Sequence, residues 1–385
     1  MNNINGSTRT DIKVWETKVS DQMPLVKDTI ETAVSFLADC PEPGGEEFKT
    51  AGFICDQLEA LGYQVERGVA DMPTAFTASF AADKLGGNIG IAVVIDGVPA
   101  VDSDGNPAPD HSCGHLAIAA GAIAVAQIWK NLCKEAQGSL TILGCPADEH
   151  ATDISRTRGG GKAALADAGI LDELDAVLYV HPEDRNMVLQ QTQCSLRFRG
   201  TLEGKRIPGE LPELVGKMAQ FGNEVEYRDA RSAAYIERIT SVGDADNGAK
   251  IIVMADLMVR AHTEEELADA VERVMEKSDG IRWQEMTRYD GLKSHKELTE
   301  QIEEVFETMG INYDPDPPLI PYATDFGRMT NKVPGALIGL GDHRWAFHTP
   351  ECSAAFLKDA VPEAEQYARV TSVIVPVLAK VAQEW

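Results

Sequence analysis

Four short segments carry the residue types that hold a divalent metal. They are His111-Ser-Cys113-Gly-His115, Cys145-Pro-Ala-Asp148-Glu149-His150, His181-Pro-Glu183-Asp184, and a later stretch in which His343 and His348 flank Trp345. Thiolate, imidazole and carboxylate together suit a borderline cation such as Zn²⁺, Mn²⁺ or Co²⁺. A catalytic centre also needs a base that is not itself a ligand, and the adjacent acids Asp148 and Glu149 could divide that labour. Taken singly each residue has an ordinary explanation. A loop histidine is usually just hydrogen-bonded, a cysteine is often a small buried hydrophobe, and paired acids are usually solvated. The coincidence of four such groups is what points to a metal site.

These groups follow the ends of apolar, β-branched runs. IGIAVVIDGVP ends in Asp96-Gly97, SLTILG precedes Cys145, AVLYV precedes His181, and ALIGL precedes the segment with His343 and His348. In an α/β sheet the carboxyl ends of the strands form the crevice where ligands bind. Helical patterns alternate with these runs: KDTIETAVSFLADC, EEFKTAGFICDQLEALG, and the alanine-rich stretch Leu116 to Leu132. The expected class is α/β, with a mixed, mostly parallel sheet covered by helices on both faces. Between 195 and 292 the pattern changes to amphipathic strands and a charged helix, TEEELADAVERVMEKS. The expected organisation is a catalytic domain in two parts, 1–194 and 293–385, with an inserted α+β lid or dimerisation domain at 195–292. Ile251, Val253 and Leu257 are expected on an exposed strand that pairs with a second subunit, giving a homodimer or larger even oligomer.

Composition narrows the function. The 385 residues are 44% hydrophobic and 25% charged, which suffices for a full core. A net charge of −26 repels phosphate backbones and anionic lipid, so neither nucleic acid nor a membrane is an expected partner. No apolar run reaches membrane-spanning length, no secretory signal is visible, and seven scattered cysteines make no disulfide framework. A cytoplasmic enzyme is the expectation. Competing motifs fail. In the phosphate-loop-like Gly159-Gly160-Gly161-Lys162, Arg156 stands where the first glycine belongs and Ala163 where Ser or Thr belongs. In the calcium-loop-like Asp102-Ser-Asp104-Gly-Asn106, Pro107 takes the glycine position. No Gly-x-Ser-x-Gly, His-Glu-x-x-His or Cys-x-x-Cys is present.

The ordered set of motifs resembles the aminoacylase/carboxypeptidase metallohydrolases of peptidase family M-20. Its nearest branch is the one with indoleacetyl-amino-acid and aminobenzoyl-glutamate hydrolases. The likeness rests on His111–His115, Pro146-Ala147-Asp148-Glu149, Gly160-Gly161-Lys162, His181-Pro182, Thr324-Asp325-Phe326-Gly327 and His348-Thr349-Pro350-Glu351. The resemblance implies Cys113, His115, Glu149, His181 and His348 as metal ligands and Asp148 as general base. That base would take a proton from water and return it to the departing nitrogen.

Three departures from the family pattern bear on the substrate. Asp148 stands where the family has a glutamate, one methylene longer. The family's Gly-x-x-x-His, whose histidine reaches a neighbouring subunit's site and polarises the scissile carbonyl, is Gly204-Lys-Arg206-Ile-Pro208 here. Its Asn-x-x-Pro is Lys250-Ile-Ile-Val253. The metal set is kept while the amide-recognition shell is altered, which implies C–N hydrolysis on an unusual small aromatic carboxylate. One offshoot of the family deaminates 5-nitroanthranilate, where a ring nitro group carries the charge. Arg206, Lys250, Arg260 and Arg328 are the candidates to hold the carboxylate. The alternatives are an amidohydrolase of acyl-amino acids or aminobenzoyl-glutamate, and an inactive binding protein of the same fold. The complete ligand set argues against the last.

Overall fold

The computed structural model describes residues 4–149, 156–157, 159–205, 207–243, 250–341 and 346–384. The first sheet has strands β1 (Gln64–Arg67), β2 (Phe76–Ala81), β3 (Lys84–Val94), β4 (Gln137–Cys145), β5 (Ala176–Pro182) and β6 (Met187–Leu189). It is completed from the far end of the chain by β12 (Gly335–Leu340), in the order β1-β2-β4-β3-β5-β12-β6. The central strands β4, β3, β5 and β12 run parallel, and the pairings of β1, β2 and β6 are antiparallel. The sheet is therefore mixed as expected, with parallel pairing confined to its centre. That centre carries the candidate site. The carboxyl ends of its four strands lie on one edge and lead to Asp96, to Asp148 and Glu149, to His181, and toward His348.

The burial of these strands explains their composition. Ile89 and Ile91 to Val94 of β3 are fully buried, so apolar residues follow one another without alternation. Helices α1 (Ile4–Ala38), α2 (Phe48–Ala60), α3 (His115–Asn131), α4 (Gly161–Asp167), α7 (Lys296–Met309), α8 (Phe326–Thr330) and α9 (Pro350–Val381) accompany this sheet. Helix α3 is buried almost all round, from His115 to Ala126, as its alanine-rich sequence allows. It packs against α1 and α9. Helix α9 starts sharply: the Thr349 hydroxyl accepts the Cys352 N–H and Pro350 takes the first turn.

The second sheet contains β7 (Cys194–Lys205), β8 (Tyr227–Arg228), β9 (Ser232–Gly243), β10 (Lys250–Ala261) and β11 (Arg282–Tyr289), in the order β11-β7-β10-β9-β8, all antiparallel. Helices α5 (Glu210–Val225) and α6 (Glu264–Met275) cover one face and share a hydrophobic cluster with it. The structure corrects one expectation here. Strand β10 is the middle of the sheet, paired along its length with β7 and β9. Ile251, Val253 and Leu257 are 9%, 0% and 0% exposed, packed under the two helices. They cannot pair with a neighbour, because their strand has no free edge. The edges are β8 and β11. The sequence reading overlooked α5, whose Leu214, Met218, Phe221 and Val225 cover those residues.

Candidate metal centre

The turn from Ser112 into α3 places a thiol and an imidazole side by side. Gly114 between them has φ +73, and a Cβ there would lie 2.7 Å from the Phe356 ring and 2.9 Å from Pro182. Only glycine fits that bend. Cys113 Sγ is then 3.4 Å from His181 Nε2. His115 Nε2 is 3.6 Å from Asp148 Oδ2, and His348 Nε2 is 3.0 Å from Glu149 Oε1. Three overlapping groups have ligand atoms within 4.8 Å of one another: Cys113-His115-His181, Cys113-Glu149-His348, and His115-Asp148-Glu149. The structure thus brings together all six residues named from the sequence, with Cys113 common to two groups.

Residues behind this set fix its orientation. His115 Nδ1 lies 2.9 Å from the Asp96 carbonyl oxygen, which leaves Nε2 on the side of Asp148, buried with no hydrogen-bond partner among the described residues. Asp96 also accepts the Glu149 backbone N–H at 2.7 Å. His181 Nδ1 is 3.3 Å from Glu183, whose carboxylate accepts the Tyr322 hydroxyl at 2.6 Å. The fully buried Glu47 accepts the Ala147 N–H at 2.8 Å. Two non-glycine residues at the site have left-handed backbone, Ala147 with φ +58 and His348 with φ +62. Such conformations persist only where surroundings hold them, as Glu47 holds Ala147 and the Ser112 carbonyl holds the His348 N–H at 3.1 Å.

The chemistry of the donor set fits a cation. Asp96, Asp148, Glu149 and Glu183 bring four carboxylates, and Cys113 a thiol, into a largely buried space. Burial and then the nearby Glu149 and Asp148 push the Cys113 thiol well up. Burial opposes protonation of His115, but Asp96 and Asp148 outweigh it and raise the imidazole to about 9. A buried imidazole nitrogen left without a hydrogen-bond partner among the described residues, beside these carboxylates, is a position a divalent cation can take. Asp148 differs from its neighbours. Burial alone would raise its carboxyl, but the Lys162 ammonium and His115 hold it well below the usual carboxylate range. Lys162 is completely buried and bridges Asp148 and Asp325, the latter at 2.8 Å.

A cavity of about 600 Å³ opens onto Cys113, Asp148, Glu149, His181 and His348. Its other wall comes from the second sheet and from Arg156, and includes Arg197, Tyr235, Glu237, Met258 and Arg260. Arg197 donates to Glu237 through Nε at 2.7 Å and Nη2 at 3.0 Å. Arg260 lies over the Tyr235 ring at 5.5 Å, and its Nε is buried without a hydrogen-bond partner among the described residues. The other candidate cations lie elsewhere. Lys250 is exposed and pairs with Glu203 at 3.0 Å. Arg328 pairs with Asp290 at 3.1 Å and Asp167 at 3.4 Å. Arg206, His150 and His343 fall outside the described residues. Sequence reasoning passed over Asp96, Lys162, Arg156 and Arg197. Asp96 carried a usable signal, since it ends an apolar strand as the named groups do. The other three are brought in by long-range packing.

The sequence pattern of peptidase family M20/M25/M40 matches residues 95–372. Over 178 residues the chain is 30% identical to one component of the p-aminobenzoyl-glutamate hydrolase of Escherichia coli, a match spanning 42% of this chain and 35% of that protein. With the N-acetyldiaminopimelate deacetylase of Streptococcus suis it shares 25% identity over 359 residues, 82% of this chain and 92% of that protein. Its fold is similar to that of Bacillus subtilis YxeP, a dinuclear metal-binding peptidase of the M20 family, with a TM-score of 0.60 at 18% identity, covering 94% of this chain and 99% of the other. The family pattern runs from the end of β3 into α9 and takes in every one of the six clustered residues, so the chain belongs to peptidase family M20/M25/M40 and is a metal-dependent hydrolase of C–N bonds.

Proposed function

We propose that the chain hydrolyses the C–N bond of a small aromatic carboxylate and releases ammonia, with 5-nitroanthranilate as substrate and 5-nitrosalicylate as product. One observation carries this reading. The cavity wall facing the metal residues presents Arg156, Arg197, Arg260 and Tyr235, and the cavity's only histidines among the described residues are His181 and His348 of the metal set itself. An amide hydrolase needs a donor for the oxyanion, and losing one costs on the order of 3 kcal/mol. Of the chain's other described histidines, His111 lies 3.2 Å from the Ala38 carbonyl oxygen and His115 belongs to the metal set. His262 is 2% exposed and lies against Gln193, and His295 precedes α7 beside Glu297. A nitro-substituted ring instead carries the developing charge on its own substituent, which arginine can meet.

In this reading Cys113, His115, Glu149, His181 and His348 hold the Mn, Zn or Co ion. When bound, that ion would lower the pKa of water and offset charge on the substrate. Asp148 accepts the proton of the attacking water and returns it to the nitrogen, so arylamine and water become phenol and ammonia. Arg260 holds the substrate's carboxylate, with Arg156 the second cation at hand. Lys250 and Arg328 are already matched by acids away from the cavity. The second reading, an amidohydrolase acting on acyl-amino acids or aminobenzoyl-glutamate, is favoured by the identity shared with the aminobenzoyl-glutamate hydrolase.

A cytoplasmic setting belongs to the same proposal, supported by seven free cysteines; no described helix is long and apolar enough to cross a membrane. So does a homodimer or larger even oligomer, and light scattering that gives a monomer mass at micromolar concentration would contradict it. Ammonia release tests the function: 5-nitroanthranilate with Mn²⁺ should yield stoichiometric ammonia, and no ammonia would overturn the reading.

A further inference from the structure

We infer that Arg197, clamped by Glu237, is the donor that meets the charge developing on the substrate when water adds to the ring. Both residues lie on the cavity face of the second sheet, Arg197 on β7 and Glu237 on β9. Glu237 is the extra residue of a β-bulge. Ile236 pairs with Leu257 and Arg238 with Asp256, which leaves Glu237 opposite no residue of β10. A bulge beside a site re-aims a side chain, and this one turns a carboxylate into the cavity.

That carboxylate takes Arg197 Nε at 2.7 Å and Nη2 at 3.0 Å, one on each oxygen, while Nη1 lies 3.4 Å from Thr287 Oγ1. A guanidinium has five N–H groups, so one on each Nη is left without an acceptor among the described residues. Arg197 is 2% exposed yet lines the cavity. Tyr289 ties it to the metal set. Burial and Asp325 push the Tyr289 hydroxyl well up, Arg197 opposes that rise, and Asp148 adds to it. One ring is thus within electrostatic reach of both the guanidinium and the proposed base. The neighbouring arginines have no such clamp. Arg156 comes no nearer than 3.8 Å to Glu237 and 3.6 Å to Asp256, and Arg260 lies over the Tyr235 ring.

A donor fixed in a dry wall acts most on charge that is absent from the ground state. As the water oxygen bonds to the carbon bearing the amine, an electron pair of the ring moves onto the nitro oxygens. It returns when the C–N bond breaks, and ammonia leaves with the proton that Asp148 took from the water. A nitro group has the flat two-oxygen shape of a carboxylate, which guanidinium N–H groups match.

This inference rests on the proposed nitroaromatic substrate. The test uses the Mn²⁺-loaded full chain, with the product 5-nitrosalicylate as a spectroscopic probe. Its nitro-centred absorption band should lie to the red when bound to wild type, and Arg197→Met should abolish that shift. In the same variant kcat for 5-nitroanthranilate should fall about 10²- to 10³-fold with KM within a few-fold. Metal content and thermal melting are recorded for each variant. Glu237→Gln keeps the arginine but loosens it, and should lower kcat at least about tenfold and move the band part of the way back. If Arg197→Met does not melt cooperatively, Glu237→Gln carries the test. Full kcat in the variant that carries it, or a bound band left where wild type puts it, would overturn the inference. A wild type silent on 5-nitroanthranilate and active on aminobenzoyl-glutamate would overturn the substrate instead. The same variants are then scored on the amide, where an undiminished kcat overturns Arg197 as the donor and a loss of about 10²- to 10³-fold retains it.

Discussion

The buried carboxylate of Asp96 accepts the backbone N–H of Glu149 at 2.7 Å, although 53 residues separate the two in the chain. The carbonyl of the same residue meets His115 Nδ1 at 2.9 Å. Two candidate ligands from different loops therefore share one anchor at the end of β3. Partners of this kind set a ligand's tautomer and direction. Asp96→Ala should weaken metal binding by about 10- to 100-fold, read by competition with a chelating dye. Unchanged affinity would show that the ligands hold their places without it.

Asp148→Asn removes the proton acceptor while leaving Glu149 and the histidines in place. It should lower kcat by about 10²- to 10⁴-fold with metal content unchanged by elemental analysis. Loss of the metal along with activity would make Asp148 a ligand instead.

Arg260 presents a buried Nε without a partner among the described residues and faces the cavity. Arg260→Met should raise KM for a carboxylate substrate about tenfold or more, the loss of one charge-assisted pair, with kcat nearly constant. Steady-state kinetics on the carboxylate substrate and its descarboxy analogue checks this. Equal losses on both would assign Arg260 to something other than the carboxylate.

Glu47 gives a pH dependence of stability with a definite sign. Burial, and then Asp96, raise its carboxyl from 4.5 to about 7. Between those values the folded chain keeps a proton that the unfolded chain releases, so stability is fully present below about 4.5 and falls as pH rises toward 7. The slope from this one group is at most about 1.4 kcal/mol per pH unit. In chelator, urea unfolding of wild type should show a steeper loss of stability from pH 5 to pH 7 than Glu47→Gln, and parallel curves would contradict the assignment.

The sequence made the catalytic edge of the fold legible for a physical reason. Parallel strands buried on both faces read as uninterrupted apolar runs, and the polar residues that end such runs can only be at the sheet's edge. Asp148, Glu149 and His181 stand at such ends, and the family resemblance, not the strand pattern, singled out Cys113, His115 and His348 with them as a ligand set and base. What stayed hidden depends on partners far away in the chain. Lys162 and Asp325 stand in motifs that carry the family likeness, but only the fold shows that these two residues, 163 positions apart, meet. Ile251, Val253 and Leu257 alternate as an exposed edge would, and only the pairing of β10 with β7 and β9 shows them to be core. Arg156 and Arg197 reach the cavity because the second sheet faces the first, a relation that no local pattern encodes.

Product analysis in ¹⁸O-water tests the central claim most directly. The Mn²⁺-loaded protein is given 5-nitroanthranilate and aminobenzoyl-glutamate together, and the products are separated and weighed by mass spectrometry. The account predicts 5-nitrosalicylate with a single ¹⁸O in its ring hydroxyl and one ammonia for each. Aminobenzoate labelled in its carboxylate, with the nitroanthranilate recovered unchanged, would contradict it.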